Sequence, residues 1–393
     1  MEVSNEFWQW IDEHCNEDPI KLRLKWHGRY NWIDDAILQI ECRNRTQRKL
    51  YKTLQNKRFL FPTLLSTEQC TSDDIAELHT ELTGRQRRKI LDMTCGLGID
   101  AFHFATAGHD VTAIELVEEV AEAAHYNASQ IDCMVPIRVI HGDSCDYIKS
   151  TNEKFDDIFI DPARRGDVGQ RMFALRDCQP DVTSLLPLMR QRASRLFVKA
   201  SPMLDVTQTI KELPGTTDIY VIGNRRECKE LVAIVDLKMD SSDSVVVHAW
   251  GDGIDYFFRL DDETDAIAEY MMPEEGGLLY EPMPSVMKAG PFKLLSQQFG
   301  VKKLSQHTHL YYSDTLVPEF PGVARRIKQV IPFASKEIKK FAKEFDRLDV
   351  ATRNFGMTSE QLRAKLRVKE GGNYRLVGAK VVNDQKYLFL LEH

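Results

Sequence analysis

The stretch ILDMTCGLGID, Ile90 to Asp100, decides how the chain reads. Its first half is an apolar, strand-forming run that ends on an acid, Asp92. Its second half places Gly96 and Gly98 on either side of Leu97, just ahead of the helix-forming AFHFAT. A strand, a glycine-bearing turn and a helix in that order open a crossover unit, and in such units ligands settle at the carboxyl ends of the strands. Downstream the alternation repeats. DVTAIE (110–115), PIRVIH (136–141), FDDIFID (155–161), RLFVKA (195–200), DIYVIG (218–223) and ELVAIVDL (230–237) are short β-branched runs, and helical stretches begin near Ala101, Val117, 180 and 204. This pattern predicts an α/β fold with a mostly parallel sheet of seven strands between residues 89 and 238. The last two are too close for a crossover helix, so an antiparallel final strand is expected.

Working outward, residues 1–85 carry apolar residues at helical spacing (Phe7, Trp10, Ile11, then Ile37, Leu38, Ile40) and predict a small helical region. At its end TSDDIAEL signals a helix start, with Thr71 or Ser72 as cap and Asp73 and Asp74 in the first turn, where negative charge suits the helix dipole. Residues 86–240 form the alternating core. In 241–320, SVVVHAW and DYFFRLD flank Gly251-Asp252-Gly253 and predict a hairpin, and the proline-punctuated YEPMPSVMKAGPFKLLSQQFG leads into a helix. From about 321 the tail reads helix, strand, helix and two strands, an α+β module that ends in KYLFLLEH.

Composition narrows the classes. No apolar run is long enough for a membrane span. The first residues, MEVSNEFWQWIDEHC, carry acids where a secretory signal needs positive charge, so a cytoplasmic protein is expected. Eight cysteines occur without a CxxC pair, which argues against a zinc site or a disulfide framework. Charge is unevenly spread. Residues 21–58 hold eleven Lys or Arg against three acids and residues 321–393 hold sixteen against eight, whereas residues 236–281 hold thirteen acids and two bases. Basic ends can face a polyanion, or can be ordinary solvated faces.

The chemistry sits at the strand ends. Gly96 and Gly98 let the backbone pass close under a ligand. Glu115 ends the second strand and can accept from both hydroxyls of a ribose. Asp143 and Ser144 follow the third strand, where a carboxylate can accept from an adenine amine, and Asp161-Pro162 ends the fourth. A dinucleotide site also uses glycines and an acid. However, Thr94 replaces the opening glycine of that motif, and Asp92 would repel a diphosphate while suiting the cationic α-amino group of a methionine moiety. The residues therefore favour S-adenosylmethionine over a nicotinamide cofactor.

With these motifs assembled, the core resembles class I S-adenosylmethionine-dependent methyltransferases. Asp92 to Gly98 match the first motif, Glu115 the ribose acid, Asp143 the adenine contact and DPARR (161–165) the fourth, substrate-side motif. EQCTSDDIAEL, YEPMPSVMKAG and LRVKEGGNYRLVGAK extend the resemblance over residues 60–393, to bacterial methyltransferases with a C-terminal THUMP-like domain. The resemblance implies a Rossmann-like seven-stranded methyltransferase sheet, a ferredoxin-like connecting region and a THUMP-like α+β module, with RNA as the partner. It implies a donor site of Thr71, Asp92, Thr94, Cys95, Gly96, Gly98, Glu115, Leu116, Asp143, Ser144 and Asp161, releasing S-adenosylhomocysteine, with no metal and no membrane. Thr71 enters because related enzymes carry a donor-touching Thr ahead of the core; a plain cap serves equally well.

Amino-methylating relatives read D/N-P-P-aromatic at the fourth motif, whereas this chain has Asp161-Pro162-Ala163-Arg164. Asp161 can still accept from an amine. Arg164 can stack on a base or pair with a phosphate, and Lys199, ending the fifth strand, can bind phosphate or orient the substrate or lie exposed. Asp161, Pro162, Arg164 and Lys199 are thus the candidate catalytic residues. The fifth strand ends in no cysteine, which argues against pyrimidine C5 methylation. A protein or small-molecule acceptor, and a non-catalytic RNA-binding role for a donor-type fold, remain the alternatives.

Overall fold

The sequence in the first 200 residues alternates two patterns, helical stripes up to Thr83 and buried strands after it, and the structure follows that division. The computed structural model describes residues 3–164 and 174–392. The chain divides into two units, one of residues 1–200, 211–215 and 233–241, the other of 201–210, 216–232 and 242–393.

In the first unit, helices α1 (Asn5–His14), α2 (Pro19–Trp26), α3 (Ile33–Thr46), α4 (Leu64–Gln69) and α5 (Asp73–Thr83) come first. Ser4 caps α1 and Asp18 caps α2, each accepting from a backbone N–H of the first turn. Phe7, Trp10 and Ile11 of α1 and Ile37 and Ile40 of α3 share a core with Leu60 and with Ala123 of helix α7 below. Asn127 fastens the same seam: its amide accepts from Leu60 N at 2.7 Å and donates to Leu60 O at 2.9 Å. Ser72 is the cap of α5, without a side-chain cap bond; Thr71 is used elsewhere.

The core then runs β1 (Lys89–Asp92), α6 (Ile99–Thr106), β2 (Asp110–Glu115), α7 (Glu118–Ser129), β3 (Arg138–His141), α8 (Ser144–Ser150) and β4 (Asp157–Ile160). A two-residue ladder follows, β5 (Ala163–Arg164) against β6 (Cys178–Gln179), then α9 (Val182–Arg192) and β7 (Arg195–Ala200). The order β3-β2-β1-β4-β7 is parallel throughout. Strand β4 is buried at every residue, as expected where helices cover both faces. Order reverses between β1 and β4, so the switch point lies beside Asp92, whose register partner is Phe159. At the amino end of the sheet Asp157, 0% exposed, is gripped by Arg195 through Nε at 2.8 Å and Nη2 at 2.9 Å.

Helix α10 (Val206–Glu212), β8 (Thr216–Gly223) and β9 (Cys228–Asp236) lead into β10 (Val246–Gly251), β11 (Ile254–Arg259) and α11 (Leu260–Asp265). The expected hairpin forms, and it changes the strand count. Strand β10 pairs parallel to β8 from Val246↔Asp218 to Trp250↔Ile222, and β11 pairs antiparallel to β10, so the sheet holds nine strands rather than seven. Gly251 is required here: at φ 133° a Cβ would stand 1.8 Å from Gly223 O.

The second unit continues with β12 (Leu278–Pro282), α12 (Pro284–Ala289), α13 (Phe292–Phe299), β13 (Lys302–Ser305), β14 (Thr308–Ser313) and β15 (Gly322–Pro332). It ends with α14 (Ser335–Phe341), β16 (Asp349–Arg353), α15 (Ser359–Leu366), β17 (Tyr374–Lys380) and β18 (Lys386–Glu392). Seven strands form one sheet in the order β13-β14-β12-β15-β18-β17-β16. Four of them, β12 to β15, were absent from the sequence reading. The reason is visible in β15, GVARRIKQVIP, most of whose residues are half-buried or exposed, so no clean apolar alternation marks it. Strand β15 pairs with β12 through its first half (Gly322 to Arg326) and with β18 through its second (Ile327 to Pro332). Across this sheet Glu281, 8% exposed, accepts from Arg325 (3.1 Å), Arg353 (3.3 Å) and Arg375 (2.9 Å).

Candidate active site

The loop after β1 is shaped by its own residues. Thr94 N donates to the Asp92 carboxylate at 2.9 Å, Cys95 N to Ile114 O at 2.9 Å, and Gly98 N closes the turn on Cys95 O at 2.9 Å. Gly96 and Gly98 adopt φ of 54° and 83°. At Gly98 a Cβ would stand 2.4 Å from the Phe102 ring, so a side chain there would force that ring aside; at Gly96 it would meet open space. Glu115, ending β2, accepts from Gly96 N and from Val117 N, both at 2.8 Å, which ties the tips of β1 and β2. Beside it Leu116 and Val117 are 58% and 52% exposed, an uncovered apolar strip at a strand end. Asp143 caps α8 by accepting from Cys145 N at 2.7 Å, and Ser144, the next residue, is buried.

Thr94 also reaches β4: its hydroxyl accepts from Asp161 N at 2.7 Å. The Asp161 carboxylate in turn accepts from the Lys199 ammonium at 2.6 Å. Lys199 is 9% exposed, so it is not a solvated lysine at the end of a strand. It donates again to Thr71 Oγ1 at 3.0 Å, and that hydroxyl donates to Asp100 at 2.5 Å. Asp100 is paired with His79 Nδ1 at 2.7 Å. The expected residues Asp92, Thr94, Cys95, Gly96, Gly98, Glu115, Asp161 and Lys199 thus share one end of the sheet, joined by Thr71. Pro162, the next residue after Asp161, is buried. The Arg164 backbone pairs with Cys178, while its side chain, and Arg165, lie outside the described residues.

Two buried acids in this constellation differ in sense. Desolvation drives Asp92 up to about 8, and the neighbouring Asp100, Asp161 and Glu115 push it the same way. Asp100 is equally enclosed and burial would raise it, but His79, Lys199 and Thr71 outweigh that and hold it at about 2. The Cys95 thiol is pushed well up by burial, and the adjacent acids add to this, so it is no nucleophile.

Sequence reasoning missed the pair His79–Asp100. Asp100 closes the very motif that opened the reading, and His79 lies three residues past Ala76 on the buried face of α5. A polar residue on an apolar helix face was the available signal; its partner, 21 residues away, was not.

Three segments match family models: residues 87–252 that of RNA cap guanine-N2 methyltransferases, 278–321 a ferredoxin-like domain and 324–393 a THUMP-like domain. Among curated proteins, the ribosomal RNA small subunit methyltransferase J of Francisella philomiragia is 28% identical over 143 residues, which are 34% of this chain and 56% of that protein. Its Francisella tularensis subsp. novicida counterpart is 26% identical over 155 residues, 37% of this chain and 61% of that protein. The chain therefore spans little more than half the length of these relatives. A crystal structure from Porphyromonas gingivalis W83, of a protein provisionally designated a methyltransferase, aligns over 100% of this chain and 99% of that one at 26% identity, with a TM-score of 0.88.

Proposed function

We propose that the chain is an S-adenosylmethionine-dependent methyltransferase that methylates a base amine in RNA, a reading supported by its matches to a methyltransferase family and a THUMP-like domain. The observation that carries this reading is Asp92. It is a buried carboxyl whose strongest charged neighbours are acids, so the place calls for a cation, and the α-ammonium of S-adenosylmethionine is one. Gly96 leaves the room beside it that a donor needs. Such a donor supplies a methyl group on a sulfonium, ready for in-line displacement.

In this reading Asp92, Thr94, Cys95, Gly96 and Gly98 hold the methionine portion and Glu115 the ribose hydroxyls. Leu116, Asp143 and Ser144 border the adenine. Asp161 and Pro162 receive the acceptor amine, with Asp161 accepting its hydrogen bond and, after transfer, its surplus proton. Lys199 holds the Asp161 carboxylate in place through its 2.6 Å hydrogen bond. Both hydroxyl functions of Thr71 are engaged, with Asp100 and Lys199. Thr71 therefore serves as a positioning residue, acting through Lys199.

RNA as acceptor is supported by the THUMP-like tail, by the description of the family matching residues 87–252 and by the names of the Francisella relatives. That family description favours the exocyclic amine of guanine. A cytoplasmic setting fits this reading; among the described residues no helix is long and apolar enough to cross a membrane.

Calorimetric titration of the full chain with S-adenosylmethionine tests the donor site. Saturable binding is expected, weakened about 10- to 100-fold by Glu115→Ala, since two hydrogen bonds to a charged acceptor are lost. Absence of binding, or indifference to Glu115→Ala, overturns it. Labelled donor offered with total RNA, DNA and protein fractions tests the acceptor; label confined to protein overturns the RNA assignment.

A further inference from the structure

Helix α2 packs against α3, and it and the turn after it, residues 19–32, have an unusual surface. Between Asp18 and Asp34 the chain carries Lys21, Arg23, Lys25 and Arg29 and no acid. Residues 23–31 are exposed with the single exception of Trp26, which is half-buried. Tyr30, 48% exposed, lies almost parallel to Trp32, with centroids 4.9 Å apart and planes at 6°, and it also stacks with Trp26 at 6.4 Å and 24°. The Arg29 guanidinium sits 4.9 Å and the Lys25 ammonium 5.3 Å from the Trp26 ring. Trp10, 7% exposed, meets Trp26 edge-on at 5.9 Å, and the indole N–H groups of both have no hydrogen-bond partner among the described residues. Leu24 at 85% and Ile20 at 69% exposure stand among these cations.

Folding explains only part of this. Leu22, Trp10 and Ile33 bury the inner side of the segment. Tyr30 is held by its stacking on Trp32 and Trp26, but Leu24, Lys21 and Lys25 bury little, and ordering exposed long side chains costs conformational entropy without a compensating core. Parallel aromatic rings under a fringe of cations are instead what a single-stranded nucleic acid uses: bases stack on the rings and phosphates meet the cations. A lipid surface suits the exposed Leu24 and Ile20, but α2 has only eight residues, two turns, which is short for a helix lying in a membrane interface. Arg23 is paired with Glu41 at 2.9 Å and His27 lies 3.2 Å from Asp34, but the segment itself holds no acid, and the remaining Lys21, Lys25 and Arg29 favour a polyanion over a protein of mixed charge.

We propose that residues 19–32 form a docking platform for single-stranded RNA, on which Tyr30 stacks an unpaired base while Lys21, Lys25 and Arg29 meet the flanking phosphates. The platform rests on the RNA reading of the chain, and it assigns the substrate class as unpaired rather than duplex RNA.

The test uses the full chain and a fluorescein-labelled oligoribonucleotide of mixed sequence, single-stranded or annealed to its complement, followed by anisotropy across a salt series. Lys21→Glu, Lys25→Glu and Arg29→Glu combined should weaken single-strand binding more than about tenfold and lower the salt slope by about two. Tyr30→Ala should cost about tenfold on single strands and leave the duplex little changed, and Tyr30→Phe, which keeps the ring, should bind as the parent does. Unchanged affinity in the charge-reversed chain, or equal losses on both RNA forms in Tyr30→Ala, overturns the platform. So does intact RNA binding accompanied by lost binding to phosphatidylserine-containing vesicles. Donor titration of the same variants keeps the two readings separate: it should be unaffected, and a parent chain that binds no donor yet shows these RNA effects would sink the methyl-donor reading while leaving the platform standing.

Discussion

The two ends of the parallel sheet treat buried acids in opposite ways. At the amino end, Asp157 is fully enclosed and Arg195 meets it with two hydrogen bonds, so the charge is matched within the fold. At the carboxyl end Asp92, Asp100, Glu115 and Asp161 lie close together; Lys199 meets Asp161 and His79 meets Asp100, while Asp92 is left to rise to about 8. The first arrangement belongs to folding, because removing Arg195 takes both hydrogen bonds from the buried carboxylate and leaves only Arg88, 3.6 Å away. The second is an unbalanced set that folding alone would not favour, and such imbalance at strand ends marks a place for a ligand that brings the missing charge.

That contrast breaks most visibly at Arg195. Arg195→Met leaves Asp157 enclosed without its bidentate partner and should cost about 3 kcal/mol in chemical denaturation, with donor affinity unchanged. A loss of donor affinity without a loss of stability would erase the distinction between the two ends. At the other end Lys199→Met should leave donor affinity within a few-fold and lower kcat about 100-fold, because Asp161 is no longer held in place. Equal kcat in the variant would show that Asp161 needs no such support.

The smallest effect is a matter of pH. The carboxyl of Asp92 keeps its proton below about 8, so a cationic donor must expel it. Donor binding at pH 7 should release close to one proton, measurable as a buffer-dependent heat, and affinity should rise with pH by no more than about tenfold per unit until pH 8. The same group opposes folding as pH climbs from 4 to 8, since the unfolded chain gives up this proton and the folded one retains it. Asp100, held at about 2, acts the other way: its contribution is present above pH 4 and is lost as pH falls toward 2.

Much of this site was legible in the sequence because its parts lie at fixed places in a repeating unit. Each strand of the crossover pattern announces its own end, so Asp92, Glu115, Asp143 and Asp161 were found without knowing what they touch. Connections between elements were not legible. That Lys199 is buried, that Thr71 faces Lys199 and Asp100 rather than capping α5, and that His79 pairs with Asp100 all follow from packing between segments distant in sequence. The hairpin β10–β11 was anticipated, but its parallel pairing with β8, which takes the sheet to nine strands, was not. Residues 278–332 were read least well. Lys303, in strand β13, is only 2% exposed, and strand β15 carries three charges among its first seven residues, so composition argued against sheet where sheet is found.

Strand β15 has a consequence for where the chain can be cut. The ferredoxin-like match stops at residue 321 and the THUMP-like match starts at 324, so the border between two inherited modules falls at the opening of this strand. Physically there is no border: one continuous strand hydrogen-bonds to β12 on one side and β18 on the other, and Glu281 gathers arginines from three strands of the later module. Neither module can be excised as an autonomous folding unit without leaving a raw sheet edge, and hydrogen exchange should find 278–392 opening as a single cooperative block.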